Sequence, residues 1–437
     1  MSKRPQLTPE QIALSEARKA KKLKLQSDPS EPALPEKSRI LRRPWIELDR
    51  PGAKDAQQRP GRFSLLTWNV LAQCLVRRSL FPTSTCLKGA QRQPMIQEEI
   101  LYQDADILCL QEVDGLDKLL PVLEKEGYRH HYASGPGKKH GCLIAFKNTY
   151  EKIGDRLVLY DEQDVRRDGE DKFRRGSSFR TKNIGSLVAL RCVSDETRSV
   201  IVGTTHLFWH PRQAGILLRD ITKYRADLGH GSWHCILAGD FNFTPEDPAY
   251  SLLVGRPLTQ AQSERLDISR VVHVSLDPSV PVSGPRVADE DEGDDPDLVI
   301  TNARRAVPAD GLLSDAELSS LFASSGLVRS AYNEGLHHYR QIAGDIGTFG
   351  ERLGWVAGSK GFHEPEYTSY THWWKSVLDY IFFVEPRPLQ ITGFRAPHVV
   401  KNMELGLPQT GICGSDHISL CAEFRESVEF EALGSDR

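Results

Sequence analysis

A carboxylate and an amide stand two positions apart in the segment LAGDFNFTP, which spans residues 237–245. The apolar residues that precede Asp240 and Asn242 are typical of a strand ending at this point. Side chains two positions apart on a strand project from the same face, so the spacing predicts that the two groups lie side by side. A carboxylate can activate water and an amide can hold a phosphate oxygen, so the pair suits hydrolysis of a phosphodiester.

Other apolar runs begin or end in polar side chains of the same kind. These side chains are Asn69, Glu112, His206, Asp379, Asp416 and His417. Taken one at a time, most are explained as turn formers, solvated residues or core histidines. Asp379 is harder to explain in this way, because burying an unpaired carboxylate among apolar residues is costly, and His417 is its natural partner. Together the set indicates one catalytic site.

Six motifs carry a resemblance to a known family. They are TWNVLAQ, CLQEVD, GTTHLFWHP, LAGDFNFTPEDPAY, LDYIFF and GSDHISL, and they span about Phe63 to Phe424 in this order. The set resembles the endonuclease–exonuclease–phosphatase superfamily, and within it the branch of nocturnin, Angel and the catalytic deadenylase subunits. The amino-acid sequences of these motifs are similar to those of the fungal Ngl-type RNA exonucleases.

The resemblance implies a magnesium-dependent 3′→5′ exonuclease that hydrolyses single-stranded RNA from its 3′ end, in ribosomal RNA trimming or a deadenylase-like reaction. Mn²⁺ is expected to be able to replace Mg²⁺. The alternative is a nocturnin-like phosphatase acting on a dinucleotide phosphate. An abasic-site DNA endonuclease fits less well, because its NxNGLR-like opening motif is absent from the sequence. A non-enzymatic RNA-binding module would lack the expected polar side chain at some of the site positions. In this chain every one of these positions carries such a side chain.

The resemblance also implies roles for the site residues. The expected metal ligands are Glu112, Asn69 and Asp416. The expected catalytic residues are Asp240, Asn242, His206, His417 and Asp379. In this assignment Asp240 orients or deprotonates the attacking water, the histidines donate hydrogen bonds to the transition state, and Asp379 sets the tautomer of His417. The number of metal ions and the identity of the general base stay open at this point.

Four residues are candidates for contact with the substrate. Pro211 and Trp374 match a proline and an aromatic that sandwich a base in the deadenylase relatives, which usually carry phenylalanine where this chain has tryptophan. Strict preference for poly(A) is therefore not implied, although an indole stacks on any base with roughly 1–3 kcal/mol. Arg180 and Asn183 end a cationic loop that is expected to hold the RNA backbone. The alternatives are that the tryptophans only pack the entrance and that the loop is ordinary surface charge.

The alternation of strand-like and helix-like runs is compatible with a doubly wound parallel sheet. The resemblance implies instead a four-layer α/β/β/α sandwich, in which two packed mixed sheets carry helices on both outer faces. Because the site residues are far apart in sequence, we expect one catalytic domain over residues 61–428, with an acidic insertion at about 278–345. Residues 1–60 are expected to be a disordered basic tail, and residues 429–437 a second tail.

Composition sets broad limits on partners and compartment. The formal net charge of −3 gives no global basicity, so any contact with RNA must be local. Eight cysteines without a CxxC pair fit a reducing compartment, and no apolar run is long enough to span a membrane. We expect a cytoplasmic protein, with the basic cluster at 18–24 as a candidate nuclear or RNA-contacting patch. The alternative is that this cluster belongs to a solvated flexible arm. No leucine-rich repeat precedes Phe63, so assembly into the large deadenylase complex is not expected, and no protein partner is indicated.

Overall fold

The computed structural model describes residues 39–48, 61–280, 303–323, 326, 328–342, 344, 346–384, 386 and 389–426. The chain divides into two units, Met1–Ser38 and Arg39–Arg437, and every described residue belongs to the second. The basic cluster at 18–24, the acidic run at 289–297 and the tail at 429–437 lie outside the described residues. None of the described helices combines the length and the apolar character needed to cross a bilayer.

Strands and helices alternate along the described chain. The strands are Trp45–Glu47 (β1), Arg62–Asn69 (β2), Ile107–Val113 (β3), Tyr128–Ala133 (β4), Gly141–Lys147 (β5), Tyr150–Leu159 (β6), Ile184–Cys192 (β7), Val200–His206 (β8), His234–Asp240 (β9), Val271–His273 (β10), Ala303–Arg305 (β11), Val328–Ser330 (β12), Ser369–Tyr370 (β13), Lys375–Ser376 (β14), Asp379–Val384 (β15), Leu389–Arg395 (β16) and Leu420–Glu426 (β17). The helices are Gly89–Gln103 (α1), Leu116–Lys125 (α2), Asp171–Arg175 (α3), Pro211–Asp227 (α4), Pro248–Leu253 (α5), Gln260–Ser269 (α6), Asp315–Ala323 (α7), Ala331–Ile342 (α8) and Phe349–Arg352 (α9).

Two large mixed sheets carry the fold. The first has the strand order β1-β16-β17-β2-β3-β5-β4, and the second has the order β12-β15-β9-β8-β7-β6. Each contains a single parallel pair, β2 with β3 and β8 with β9, and the other pairs are antiparallel. The expected sandwich is therefore present, and the doubly wound parallel sheet that the alternation also allowed is not.

The sheets pack face to face over a shared apolar core. Leu65 and Ile107 of the first sheet lie in one buried cluster with Val202 and Ile236 of the second. Further clusters join α1 and α2 to the outer face of the first sheet, and α4 to the outer face of the second. Central strands covered on both faces have near-continuous apolar sequences. For this reason the runs in β3 and β9 were recognisable as strands.

The polar strand ends meet at one edge of this sandwich. The parallel pairs belong to two β–α–β units, β2–α1–β3 and β8–α4–β9. Within each pair, the carboxyl ends of the two strands therefore lie side by side. Asn69 lies opposite Gln111 in the first pair, and His206 lies opposite Asp240 in the second. The antiparallel neighbour β15 begins at Asp379, again opposite Asp240. Strand register therefore brings together residues that are far apart in sequence.

The expected tail of residues 1–60 includes a segment that belongs to the sandwich. Residues 45–47 form β1, which pairs with β16 at the edge of the first sheet. Nearby, the buried Arg43 forms an ion pair of 2.6 Å with Glu99 of α1. The expectation of disorder is wrong for residues 39–48, because composition averaged over a long window hides a short pairing segment.

The expected insertion at about 278–345 also contains part of the sandwich. Strand β12 pairs with β15 and forms the edge of the second sheet. Tyr332 of α8 is buried and donates a hydrogen bond to the carbonyl oxygen of Arg395 at 2.7 Å. Residues 328–342 are therefore integral to the fold, and the acidic run before them obscured this in the sequence.

Glu364 provides a test of this packing. It is buried, Tyr250 donates a hydrogen bond to its Oε1 at 2.8 Å, and burial raises the pKa of its carboxyl to about 7. The folded state then binds a proton more tightly than the unfolded chain, so this group lowers stability as pH rises from about 4.5 to about 7. We expect Glu364→Gln, which cannot ionise, to raise Tm relative to wild type at about pH 8 and much less at about pH 5. An equal difference in Tm at both pH values would contradict this account.

Candidate active site

Asn69 joins the two parallel pairs at the sandwich edge. Its Nδ2 donates hydrogen bonds to Glu112 Oε1 at 2.8 Å and to Asp240 Oδ2 at 3.0 Å. Its Oδ1 accepts the backbone N–H of Leu71 at 3.0 Å. Because both amide hydrogens are directed at carboxylates, Asn69 fixes the relative position of the two acids, and its side chain has no N–H left for a phosphate.

Glu112 occupies an unusual backbone conformation at the end of β3. Its φ is 57°, in the left-handed region, and the register of β3 against β5 shifts between Leu110 and Val113. Such a conformation is costly for a residue other than glycine and recurs at functional sites. Burial would raise the pKa of Glu112, but the charge of His206 and hydrogen bonds, including one of 2.9 Å from Ala72 N, lower it. The carboxylate is thus ionised at neutral pH.

His206 lies between the two bridged acids. Its Nδ1 is 3.8 Å from Glu112 Oε1, and its Nε2 is 3.7 Å from Asp240 Oδ2. The ring is half-buried, with one side in the cleft. In this position His206 can donate a hydrogen bond to a phosphate that approaches the acids.

Asp379 and His417 form a buried pair at the other side of Asp240. Asp379 Oδ2 and His417 Nδ1 are 2.8 Å apart, so the partner expected for this carboxylate is present. Burial by itself would lower the pKa of His417, but the charges of Asp379 and then Asp240 raise it well above its ordinary value. These charges therefore favour the imidazolium form of the ring, whose Nε2 is 3.6 Å from Asp240 Oδ2.

Asn242 reaches the site by a route that the strand spacing did not predict. Strand β9 ends at Asp240, and Asn242 has a left-handed backbone with φ of 55°. Its backbone N–H donates to Asp240 Oδ1 at 3.0 Å, and its Nδ2 donates to Leu207 O at 2.9 Å. The expectation of a shared strand face is wrong because the chain turns here. One amide hydrogen of Asn242 is still available to a ligand.

Asp416 and the buried Arg92 complete the floor of the site. Ser415 Oγ hydrogen bonds to Asn69 O at 2.7 Å and to Asp416 Oδ1 at 3.3 Å. Burial raises the pKa of the Asp416 carboxyl. From α1, the guanidinium of Arg92 donates to the carbonyl oxygens of Val70, Leu71 and Gly414. It ties the loop after β2 to the segment that carries Asp416, a role that its helical sequence context did not indicate.

The oxygen donors fit a hard divalent cation. Glu112, Asp240 and Asp416 are all buried carboxylates, and such oxygens are the ligands that Mg²⁺ prefers. Asp240 also forms a compact group with Asp379 and His417, whose candidate ligand atoms lie within 4.8 Å of one another. His417 Nδ1 already bonds Asp379, so this group is better suited to handling protons than to holding a metal.

A cleft with cationic walls opens beside Glu112 and His206. Lys138, His140, Lys182 and Asn183 are among its lining residues. Lys138 Nζ donates to Asn183 Oδ1. Gly135 must be glycine here, since a Cβ would lie 1.8 Å from Lys182 O. Lys138 and His140 were missed in the sequence analysis, although the run of basic residues before β5 could have indicated them.

The two expected base-stacking residues are in different surroundings. Trp374 is half-buried, its Nε1 donates to Ser369 Oγ at 3.1 Å, and its ring meets Phe81 edge-on at 5.9 Å. Pro211 is the first residue of α4 and is buried. It offers no exposed face in this structure, so the proposed sandwich around a base lacks one side.

Arg180 and Asn183 also differ in position. The guanidinium of Arg180 donates to the carbonyl oxygens of Ser177 and Phe179 in its own loop. Arg180 does not line the cleft beside Glu112, whereas Asn183 does. The structure therefore brings Asn183 to the site and leaves Arg180 outside this cleft.

Comparisons with known proteins agree with the fold. Residues 66–417 match the Endonuclease/Exonuclease/phosphatase family. The chain is 29% identical to a probable RNA exonuclease of Schizosaccharomyces pombe over 392 residues, covering 82% of this chain and 75% of that protein. It is 27% identical to RNA exonuclease NGL2 of Saccharomyces cerevisiae over 488 residues, covering 96% and 89%. ANGEL2, a 2′,3′-cyclic phosphatase, has a similar fold, with a TM-score of 0.53, 20% identity and coverage of 89% and 99%.

The Asp379–His417 pair gives a direct physical prediction. Replacing Asp379 with Asn removes the charge that does most to raise the pKa of His417, so that pKa is expected to fall. Imidazole nitrogen chemical shifts, followed by NMR against pH in chelator-treated protein, measure it. Asp267→Asn, which changes an exposed acid on α6, is the control. A His417 that titrates at the same pH in both variants would show that Asp379 does not control its charge.

Proposed function

The chain belongs to the endonuclease/exonuclease/phosphatase family, and on that basis we propose a magnesium-dependent 3′→5′ exonuclease acting on single-stranded RNA 3′ ends. Two similar proteins carry the name RNA exonuclease. One observation above all supports the proposal. Asn69 bonds both Glu112 and Asp240, with His206 within 4 Å of both acids and His417 within 4 Å of Asp240.

Magnesium would be held by the carboxylates of Glu112 and Asp416, with Asn69 fixing the orientation of Glu112. When bound, Mg²⁺ supplies positive charge to the phosphate oxygens and lowers the pKa of coordinated water. Mn²⁺ shares the preference for oxygen ligands and is expected to replace it. This set of ligands is compatible with one ion or two.

Asp240 is the residue best suited to accept the proton of the attacking water. His417 cannot do so while it is an imidazolium, since both ring nitrogens then carry protons. Its role is to donate from Nε2 toward the charge that forms beside Asp240. The water oxygen bonds to phosphorus as its proton passes to Asp240, and the bond from phosphorus to the 3′ oxygen of the preceding nucleotide breaks. That 3′ oxygen then takes up a proton from solvent. The products are a nucleoside 5′-monophosphate and a shortened RNA with a free 3′ hydroxyl.

The phosphate would be oriented by groups on both sides of the acids. Asn242 has one amide hydrogen available for a non-bridging oxygen, and His206 can donate from the opposite side. Lys138 and His140 line the adjoining cleft, where the lysine ammonium can form strong hydrogen bonds to phosphate. Trp374 would stack on one face of the terminal base. The other face of that base would stay uncovered, because Pro211 is buried.

A phosphatase acting on a dinucleotide phosphate is the second candidate. The cleft beside Glu112, which has lysines in its wall, could receive a terminal phosphate as readily as an internal one. Release of inorganic phosphate from a dinucleotide phosphate, with RNA left intact, would favour this function and contradict the exonuclease.

A timed digestion of end-labelled RNAs tests the proposal. We expect shortening from the 3′ end of single strands that differ in 3′ sequence, and no digestion with a chelator. Glu112→Ala is expected to lower the rate by at least about a hundredfold with an unchanged far-UV CD spectrum. Glu124→Ala, which changes an exposed acid on α2, is the matched control. Activity that survives chelation, or wild-type activity in the Glu112 variant, would refute the assignment.

A further inference from the structure

A short hairpin presents a tryptophan to solvent beside the proposed site. Strands β13 and β14 and the turn between them form this tryptophan hairpin, residues 369–376. Thr371 Oγ1 accepts the backbone N–H groups of Trp373 at 3.1 Å and Trp374 at 2.9 Å. These bonds determine the shape of the turn and place Trp373 at its tip, where 63% of the residue is exposed.

The indole of Trp373 is held in place although it is exposed. Its Nε1 donates to Ser79 O at 3.0 Å, and the ring of His372 meets it edge-on at 4.5 Å. The polar atom of the indole is therefore satisfied by the protein, and a large apolar face remains in water. A rigid aromatic with an exposed face can bind a planar ligand with little loss of side-chain entropy.

The tryptophan hairpin is attached to the catalytic residues at its base. Ser369 forms a β-bridge with His417, and the backbone N–H of Tyr370 donates to Asp416 O at 3.0 Å. Four residues of extended chain cover at most about 13 Å, so Trp373 lies within about that distance of the base at Ser369. A single-stranded ligand a few nucleotides long can span this distance.

The surroundings of Trp373 carry positive charge. The segment 76–88, which supplies Ser79 and which we call the arginine loop, contains Arg77, Arg78 and Lys88 and no acid. The tryptophan hairpin adds Lys375 and likewise has no acid. One exposed acid, Glu404, lies on the neighbouring turn. An aromatic face among cations is the arrangement that binds single-stranded nucleic acid, since bases stack while phosphates are neutralised.

We propose that Trp373 is a second stacking platform, which binds a base of single-stranded RNA upstream of the scissile phosphate. The inference rests on the proposed function and extends it to substrate length. Stacked bases are spaced by roughly 3.4 Å, so the platform serves a base about two to four nucleotides from the 3′ end. The half-buried Trp374, bonded to Ser369, serves the terminal base. The enzyme therefore favours strands long enough to reach both tryptophans.

The test compares kcat/KM on a dinucleotide and on a decanucleotide with the same 3′ sequence. Trp373→Ala is expected to lower the ratio of the longer to the shorter substrate at least about fivefold, through KM. Trp373→Phe keeps a stacking ring and is expected to keep most of that ratio. Trp374→Ala is expected to lower both values alike. Ile268→Ala removes an exposed apolar side chain from α6 and is the control for general surface effects.

Each outcome decides a different point. If wild type shortens RNA and Trp373→Ala leaves the ratio unchanged, or lowers both values equally, the platform is refuted and the exonuclease stands. If Trp373→Phe loses as much as Trp373→Ala, the bond to Ser79 matters and stacking is refuted. If wild type shortens no RNA, the proposed function fails and this inference fails with it. Near-UV CD on each variant checks that the hairpin is intact.

Discussion

The site depends on two buried carboxylates, Glu112 and Asp240, held by one neutral amide. In a low-dielectric interior two like charges at this separation repel strongly unless cations offset them. His417, whose imidazolium form the neighbouring carboxylates favour, lies against Asp240, and His206 lies between the two acids. Asn69 holds their geometry without adding charge. The remaining negative charge, on oxygen atoms only, is what makes the cluster suitable for a divalent cation.

Backbone strain is concentrated around the same cluster. Of the five described residues other than glycine with positive φ, Leu71, Glu112 and Asn242 belong to the network around Asn69, and Lys182 lines the cleft. Strained conformations persist only where the surrounding structure imposes them. Arg92 helps to impose these conformations, because its guanidinium donates hydrogen bonds to carbonyl groups of two loops at the site. The regular strands of the sandwich thus support irregular strand ends and loops, and these carry the candidate catalytic side chains.

The contrast between Asp379 and Asn242 shows how far sequence patterns reach. Asp379 lies at the start of an apolar strand, where burial of an unpaired carboxylate costs too much free energy, so the sequence predicts a partner for it. The structure shows that this partner is His417. Asn242 stood two positions after Asp240, but strand geometry no longer applies past the end of β9. Pro211 matched a family position and is nevertheless buried. Lys138 and His140 escaped notice because a basic run before a strand is usually ordinary surface.

The sequence by itself determined the local features of this protein. Apolar runs specify the strands, and polar residues mark the strand ends. The order of the motifs identifies the sandwich and its candidate catalytic residues. These features depend on neighbours in the chain, so they are legible without coordinates. Tertiary structure alone decided which loops face the cleft, because that depends on contacts between distant segments. Pairing of Asp240 with Asp379 and the exposure of Trp373 are examples. Charge and access follow from those long-range contacts, and therefore so do the protonation of His417 and the path open to a substrate.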